Sequence, residues 1–336
     1  MKQVNLGVIG LGYQGKIHLQ NALYLKETKV LGAADVSEKA LTYAKNLGVK
    51  NVYKDYESLL KNPQLDAVII SLPNFLHLEG AVKAAEAGKH IFIEKPLARN
   101  VVEGEKILSS VKENGVSLMV GYDLRFNPDL KSVRERISDG FFGEVQIVEA
   151  TNVSGGPFAS RNDRVGPIPV PSWWFDKELA GGGALLDLGS HMIDLLSWYF
   201  GETEVIESYL GYTLNMKLED VATCMLKFKN GPIATVKVGW FSKNHTQSIQ
   251  ICGTAQNLWM RISPQSSLGI IWNDVKRKFG LQNSSPYYLE LEHFVSSLQK
   301  DKQPRPSGDD GLRCLRVISR AYEKTCKNLE KGVGAS

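Results

Sequence analysis

The stretch "GVIGLGYQG", residues 7–15, constrains the fold of this chain more than any other. An apolar run, "VNLGVIG", enters glycines at 10, 12 and 15, and helical periodicity begins directly behind them in "QGKIHLQNALYLK". In a strand–turn–helix unit Gly10 permits the tight turn, Gly12 lets backbone approach a pyrophosphate, and Gly15 lets helix pack on strand. The helix N-terminus then offers unpaired N–H groups and the positive end of its dipole to phosphate. Tyr13 and Gln14 lie in the same turn. The next apolar run, "KVLGAAD", ends at Asp35, twenty residues beyond Gly15. A carboxylate there accepts hydrogen bonds from ribose hydroxyls and repels a 2′-phosphate, and Val36 and Ser37 supply no cation. The expected cofactor is therefore NAD, ahead of NADP. Glycine turns without ligands, an S-adenosylmethionine site, and Asp35 merely starting the following helix are the competing explanations.

The first third continues to alternate. "SEKALTYAKNLG" reads as a helix with Ser37 as N-cap. A short strand follows near residues 49–53, then the helix "DYESLLKN". "DAVIISLP" is a continuous apolar strand of the kind covered on both faces. The helix "FLHLEGAVKAAEAG", the strand "HIFIEKP", a helix over residues 101–114 and the strand "VSLMVGY" complete six strands with crossover helices. That is a Rossmann-type, doubly wound parallel sheet. Ligands of such sheets bind beyond the carboxyl ends of the strands. Ser71, Leu72, Pro73, Asn74 and His77 in "SLPNFLH" lie at one such end, and Glu94 and Lys95 in "IFIEKPLARN" at another. All seven are candidate cofactor contacts; Asn74 as a helix cap and His77 as a structural histidine are the bland alternatives. Pro96 restricts Lys95 to extended backbone, with the isomer of the bond left open.

After Tyr122 the pattern changes. A helix over residues 130–138 and the strand "EVQIVEATNV" precede a Gly-, Pro- and Arg-rich stretch, "SGGPFASRNDRVGPIPVPSWW", without clear periodicity. Such long loops are often lids or binding loops. Next comes "GGGALLDLGSHMID", a helix in which Asp187, Ser190, His191 and Asp194 form a polar stripe with no Lys, Arg or Glu nearby. Spacing of four puts Asp187 and His191 on one face. "DVATCMLKF" and "IATVKVGWF", joined by a Lys-Asn-Gly turn, imply an antiparallel second sheet. The expected domains are residues 1–122, dinucleotide-binding, and residues 123–336, for substrate and self-association, with the two C-terminal helices as candidates to pack back on the first.

A net charge of +4 over 336 residues does not argue for nucleic acid. No apolar run reaches the ~18 residues of a membrane span, and the N-terminus lacks a cleavage pattern. The four cysteines have no metal-site spacing and read as reduced, mostly buried thiols of a cytoplasmic protein. No metal is expected.

Taken with "AAD", "SLPNFLH", "EKPLA", "GYDLRFNP" and "GGGALLDLGSHMIDLL", the chain resembles the glucose-fructose oxidoreductase / inositol dehydrogenase / MocA-like (Gfo/Idh/MocA) family. The resemblance runs in order from residue 7 to about residue 200, with later echoes in "ICGTAQNL" and "DGLRCLRVISRAY". It implies a C-terminal α+β domain whose open, mainly antiparallel sheet often serves as a homodimer or homotetramer interface. It also implies an active site between the domains. Lys95 matches the family's lysine, Asp187 and His191 its Asp and His, and Arg125 a position near substrate. The sequence departs at "SWWFD", where Phe175 stands in place of an arginine found in many sugar-acting relatives.

Those residues suit hydride chemistry on a secondary hydroxyl of a sugar, cyclic polyol or nucleotide-sugar. His191 exchanges a proton near neutrality and is the candidate base. Lys95 would stabilise alkoxide charge, and Asp187 would orient His191 or bind a hydroxyl. Lys95 and His191 could exchange the proton role. Trp174 could stack on a sugar ring, with domain packing equally open to Trp173 and Trp174. Arg161 and Arg164 could meet an anion, although solvated charges fit them better. A redox-neutral enzyme with tightly held NAD and a non-catalytic NAD-binding regulator are the alternatives.

Overall fold

The computed structural model describes residues 3–158, 162–163, 166–167, 170–229, 231–262 and 285–333. Two compact units divide the chain: Met1–Asn127 with Ser267–Leu312, and Pro128–Ser266 with Arg313–Ser336.

The first unit alternates strand and helix: β1 (Val4–Ile9), α1 (Tyr13–Tyr24), β2 (Thr28–Ala34), α2 (Glu38–Asn46), β3 (Val52–Tyr53), α3 (Tyr56–Leu60), β4 (Ala67–Ile70), α4 (His77–Glu86), β5 (His90–Glu94), α5 (Val101–Glu113) and β6 (Leu118–Gly121). The six strands are all parallel, in the order β3-β2-β1-β4-β5-β6. Every residue of β4 is fully buried, as a strand covered on both faces must be. Helix starts follow local chemistry. The Ser37 side chain accepts from Ala40 N, the Asp55 side chain from Ser58 N and the Asn100 side chain from Glu103 N.

The second unit holds α6 (Pro128–Ser138), β7 (Val145–Val153), a two-residue pair β8 (Asn162–Asp163) and β9 (Gly166–Pro167), α7 (Lys177–Ala180), α8 (Ser190–Phe200), and strands β10 (Thr203–Gly211), β11 (Val221–Phe228), β12 (Ile233–Gly239), β13 (Thr246–Gly253) and β14 (Asn257–Arg261). Its six-stranded sheet runs β10-β11-β12-β7-β13-β14. Only β12 with β7 is a parallel pair; the other four pairings are antiparallel. One face of the sheet is a dry core of Val148, Ala150, Cys224, Val236, Ile249 and Ile251. Its other face turns rows such as Met225, Thr235, Glu149, Gln250 and Trp259 outward. Two further helices follow: α9 (Pro286–Gln299), in the first unit, and α10 (Gly308–Val333), where the division after Leu312 falls. Helix α9 sets Tyr288 against Tyr24 of α1, with ring centroids 5.8 Å apart, and Phe294 against Phe92 of β5, also at 5.8 Å.

Three details differ from the sequence expectation or lie beyond it. The segment before α8 is not ordinary α-helix: Leu185–Gly189 forms a π-helical turn. Side chains take up the backbone groups of this wide turn. Asn152 Nδ2 donates to the Leu188 carbonyl at 3.2 Å and Ser190 Oγ to the Asp187 carbonyl at 3.1 Å. The cysteines are all free, but only Cys224 and Cys314 are buried; Cys252 is half-buried and Cys326 exposed. Arg161, Arg164 and the Asn230 of the expected hairpin turn fall outside the described residues. Among the described residues no helix is long and apolar enough to cross a membrane.

Candidate functional site

In the first unit the strand order reverses between β1 and β4, and the candidate cofactor residues gather at that switch point. Gly10 has φ +86°, and a Cβ there would fall 2.5 Å from the Ser71 carbonyl oxygen. A Cβ on Gly15 would fall 1.9 Å from the Gly10 carbonyl. No other residue type fits either contact. At Gly12, by contrast, a Cβ would meet nothing within 4 Å. Helix α1 starts there with no side-chain cap and no acidic residue in its first turn. Its first N–H groups therefore face open ground without a competing carboxylate, which suits a pyrophosphate. Two polar atoms near the turn, Gln14 Oε1 and Ser71 Oγ, are buried without a hydrogen-bond partner among the described residues. Tyr13 is exposed. These residues fit a bound dinucleotide.

Asp35 does two structural jobs. Its Oδ2 accepts from Leu11 N at 2.6 Å and its Oδ1 from Ser37 N at 2.7 Å. It ties the glycine turn to the start of α2, so helix initiation is part of its role.

His77 is buried, with Nε2 2.9 Å from the Leu72 carbonyl and Nδ1 2.9 Å from the Pro96 carbonyl. Burial holds its imidazole below the usual value against the opposing pull of those carbonyls. His77 thus clips together the segments after β4 and β5. Pro73 and Asn74 are half-buried between them, in the turn that leads into α4. The Lys95–Pro96 bond is cis, and Lys95 is half-buried. Glu94 points inward, its Oε1 2.6 Å from Nε2 of His18 on α1 and its Oε2 accepting Lys95 N–H at 3.1 Å. Arg125 is buried with its Nη2 3.4 Å from Asp310 Oδ1, which gives it an ion-pairing role within this unit.

In the second unit, residues 182–197 are all buried except two: Asp187 and His191. The apolar helix and its π-turn therefore let these two polar side chains alone reach outward. Asp187 Oδ2 accepts the indole N–H of Trp240 at 3.2 Å. Trp240 is itself 2% exposed, and Trp174 tilts against it with centroids 6.3 Å apart, while Trp173 lies 5.5 Å from Trp174. Phe175 tilts against Phe158 at 5.7 Å. The tryptophans thus form a packed chain that starts at Asp187: buried Trp240 bonds the carboxylate, and half-buried Trp174 and Trp173 follow it.

The turn is held from behind by Glu219, a residue that the sequence patterns do not single out. Its Oε1 accepts from Gly183 N at 2.9 Å, Leu185 N at 3.2 Å and Tyr322 OH at 2.8 Å. A Cβ on Gly183 would lie 2.0 Å from the Glu219 carbonyl, and one on Gly182 would lie 2.3 Å from Tyr322 Oη. The glycines before the turn thus serve close internal packing. Burial raises the Glu219 carboxyl above its ordinary range, against the hydrogen bonds that favour its charge. Trp240, Tyr322 and Asn152, whose Oδ1 lies 3.0 Å from Nε2 of His245, are the other contributors missed from sequence. The acidic pair Glu219 and Asp220 opening the run "EDVATCMLKF" was the one available signal.

Residues 4–122 match the oxidoreductase family described as an NAD-binding Rossmann fold, and residues 130–258 match the GFO/IDH/MocA C-terminal domain. The myo-inositol 2-dehydrogenase of Thermotoga maritima is 27% identical, over 98% of this chain and all of its own length. The scyllo-inositol 2-dehydrogenase (NAD(+)) of Bacillus subtilis is 29% identical over 94% of this chain and 92% of that protein. In fold, the chain is similar to a levoglucosan dehydrogenase solved with NADH and levoglucosan, with TM-score 0.81, 23% identity, and 97% and 98% of the two chains covered.

The Glu219 anchor makes a testable case. Glu219→Ala strands three donors and should cost about 3 kcal/mol, against about 1 kcal/mol for Tyr322→Phe. Thermal unfolding followed by circular dichroism measures both, and equal small effects would remove Glu219 from this role.

Proposed function

The chain belongs to the GFO/IDH/MocA oxidoreductase family, with its NAD-binding Rossmann fold, and from that premise we propose that it oxidises a secondary hydroxyl of a sugar or cyclic polyol with NAD. The observation that carries this proposal is the pair Asp187 and His191, the two outward-reaching side chains of an otherwise buried helical segment. Inositol dehydrogenases among its relatives, and the half-buried Trp174 packed on the Trp240 that bonds Asp187, support a ring-shaped polyhydroxy substrate.

In this mechanism Gly10, Gly12 and the start of α1 hold the pyrophosphate, and Asp35 meets the adenosine ribose. NAD, when bound, supplies the hydride acceptor. His191 has the role of removing the hydroxyl proton, and Lys95 that of stabilising developing alkoxide charge. Asp187, kept in place by the Trp240 N–H, orients His191 or a neighbouring hydroxyl. The tryptophan rings keep water from the reacting carbon.

Turnover is tested by NADH formation over inositols, free sugars, anhydro-sugars and UDP-sugars. Lys95→Ala and His191→Ala should each lower kcat by about 10²–10⁴-fold on the best substrate while still binding NADH. Undiminished turnover in Lys95→Ala would falsify the mechanism.

Cofactor choice rests on Asp35, with Val36 and Ser37 offering no cation to a 2′-phosphate. We expect NAD to be preferred over NADP by at least about tenfold in kcat/KM, about 1.4 kcal/mol. Asp35→Ser should narrow that ratio, and an unaltered ratio would assign the choice elsewhere.

A second copy of this chain is the proposed partner for the outward face of the second sheet. Tyr209 and Trp259 are 67% and 68% exposed there, with Ile147, Met225 and Ile233 also exposed. Apolar area of this kind marks a contact surface. Light scattering on the purified protein should give a dimer or tetramer mass, and Trp259→Glu with Tyr209→Glu should lower it; a monomeric wild type would refute the assembly.

A further inference from the structure

Beneath the strand end that carries Lys95, three ionisable side chains meet in the core of the first unit. His18 on α1 is fully buried, edge-on to the Phe92 and Tyr287 rings, and bonded through Nε2 to Glu94. Glu290 on α9 is equally buried, and neither of its carboxyl oxygens has a hydrogen-bond partner among the described residues. One polar atom from each of His18, Glu94 and Glu290 lies within 4.8 Å of the other two. Asp123, in the turn after β6, and Tyr287, on α9 itself, also face Glu290.

Two carboxylates and one imidazole cannot all keep their ordinary charges in so dry a place. His18 faces Glu94 through Nε2, and its Nδ1 is buried without a partner among the described residues, so nothing in the cluster offsets a second negative charge. Glu94 accepts from the Lys95 N–H and bonds His18, so it is the carboxyl that has hydrogen-bond partners. Glu290 has no donor to stabilise a charge. Burial, joined by the charges of Glu94 and Asp123, pushes its carboxyl well above the usual range. A divalent cation is the rival way to neutralise the cluster. The 2.6 Å between His18 Nε2 and Glu94 Oε1 is a hydrogen-bond distance. Two ligand atoms on a tetrahedral zinc, each bonded at ~2.0 Å, stand roughly 3.3 Å apart.

We propose that Glu290 is a positioning residue: a neutral carboxylic acid packed beside the His18–Glu94 pair that sets no second negative charge against Glu94, leaves Glu94 on His18 and the Lys95 N–H, and so fixes the main chain from which Lys95 starts. Its effect on turnover rests on the role of Lys95 proposed above; its protonation does not.

The pH dependence has a definite sign. A carboxyl that ionises near ~4.3 in the unfolded chain but stays protonated when folded lowers stability as pH rises above that value. Glu290→Gln removes this slope while His18, Glu94, Asp123 and Tyr287 stay in both proteins. Its melting temperature should therefore gain steadily on wild type between about pH 5 and 8. In turnover, Glu290→Ala should lose about tenfold in kcat with less change in KM, and Glu290→Gln should restore kcat to within about twofold of wild type. Both variants, wild type and Lys95→Ala are compared in the full chain by melting, NADH fluorescence titration and turnover, with metal content by mass spectrometry. A gap between Glu290→Gln and wild type that stays flat with pH would overturn the proposal. So would a Glu290→Gln protein as impaired as Glu290→Ala, or stoichiometric metal in wild type that Glu290→Gln lacks. If no polyol is oxidised the proposed reaction fails, yet the melting series still decides the state of Glu290; it does so as well if Glu290→Ala does not fold.

Discussion

Where α1 crosses the end of β1, the Gly10 carbonyl sits so close to Gly15 that a methyl group there would lie 1.9 Å from it. That contact sets the helix against the sheet, and much of the first unit depends on it. With helix and strand in touch, the α1 N-terminus lies over the strand ends, its N–H groups uncapped. The neighbouring pieces lock onto the same turn. Asp35 reaches back to Leu11 N, the Ser71 carbonyl packs under Gly10, and His77 joins the Leu72 and Pro96 carbonyls. An uncapped helix start set over the strand ends results from steric closeness and a few side-chain clips.

The two units meet the same demand, satisfied backbone in a dry interior, by different means. In the first, regular parallel pairing satisfies the strands and serine, aspartate and asparagine caps satisfy several helix starts. In the second, the decisive segment is irregular, and long-range side chains complete it: Glu219 at its start and Asn152 at the Leu188 carbonyl. Regularity suits a surface that holds a shared cofactor. Irregularity suits a surface that presents two chosen side chains.

This contrast explains what could be read from the sequence. The glycine turn, the six alternating strands, the Ser37 cap and the apolar β4 are local patterns, and they stand in the structure where periodicity and turn chemistry put them. Asp187 and His191 were legible because they interrupt an apolar run. The π-turn beneath them was not, since Glu219 lies more than thirty positions from it in the chain. The ring of Trp240 meets Asp187 across 53 positions, and His18 meets Glu94 across 76. Such pairs carry no period and no adjacent punctuation. The double duty of Asp35 was half legible: its place just before Ser37 suggests a helix start, whereas no local pattern announces its bond to Leu11.

The wide turn at Leu185–Gly189 has one more consequence. Its upstream end is fastened through Gly183 and Leu185 to Glu219, and its downstream end continues into α8, whose Met192, Ile193, Leu195 and Leu196 are sunk in the core. Between two fixed points the chain is about one residue longer than an α-helix requires. The surplus is absorbed where Asp187 stands. Deleting a single residue there would let an ordinary turn bridge the same anchors, with both ends undisturbed and a different side chain turned outward. At this place the number of residues, more than their identity, selects which side chain the protein presents.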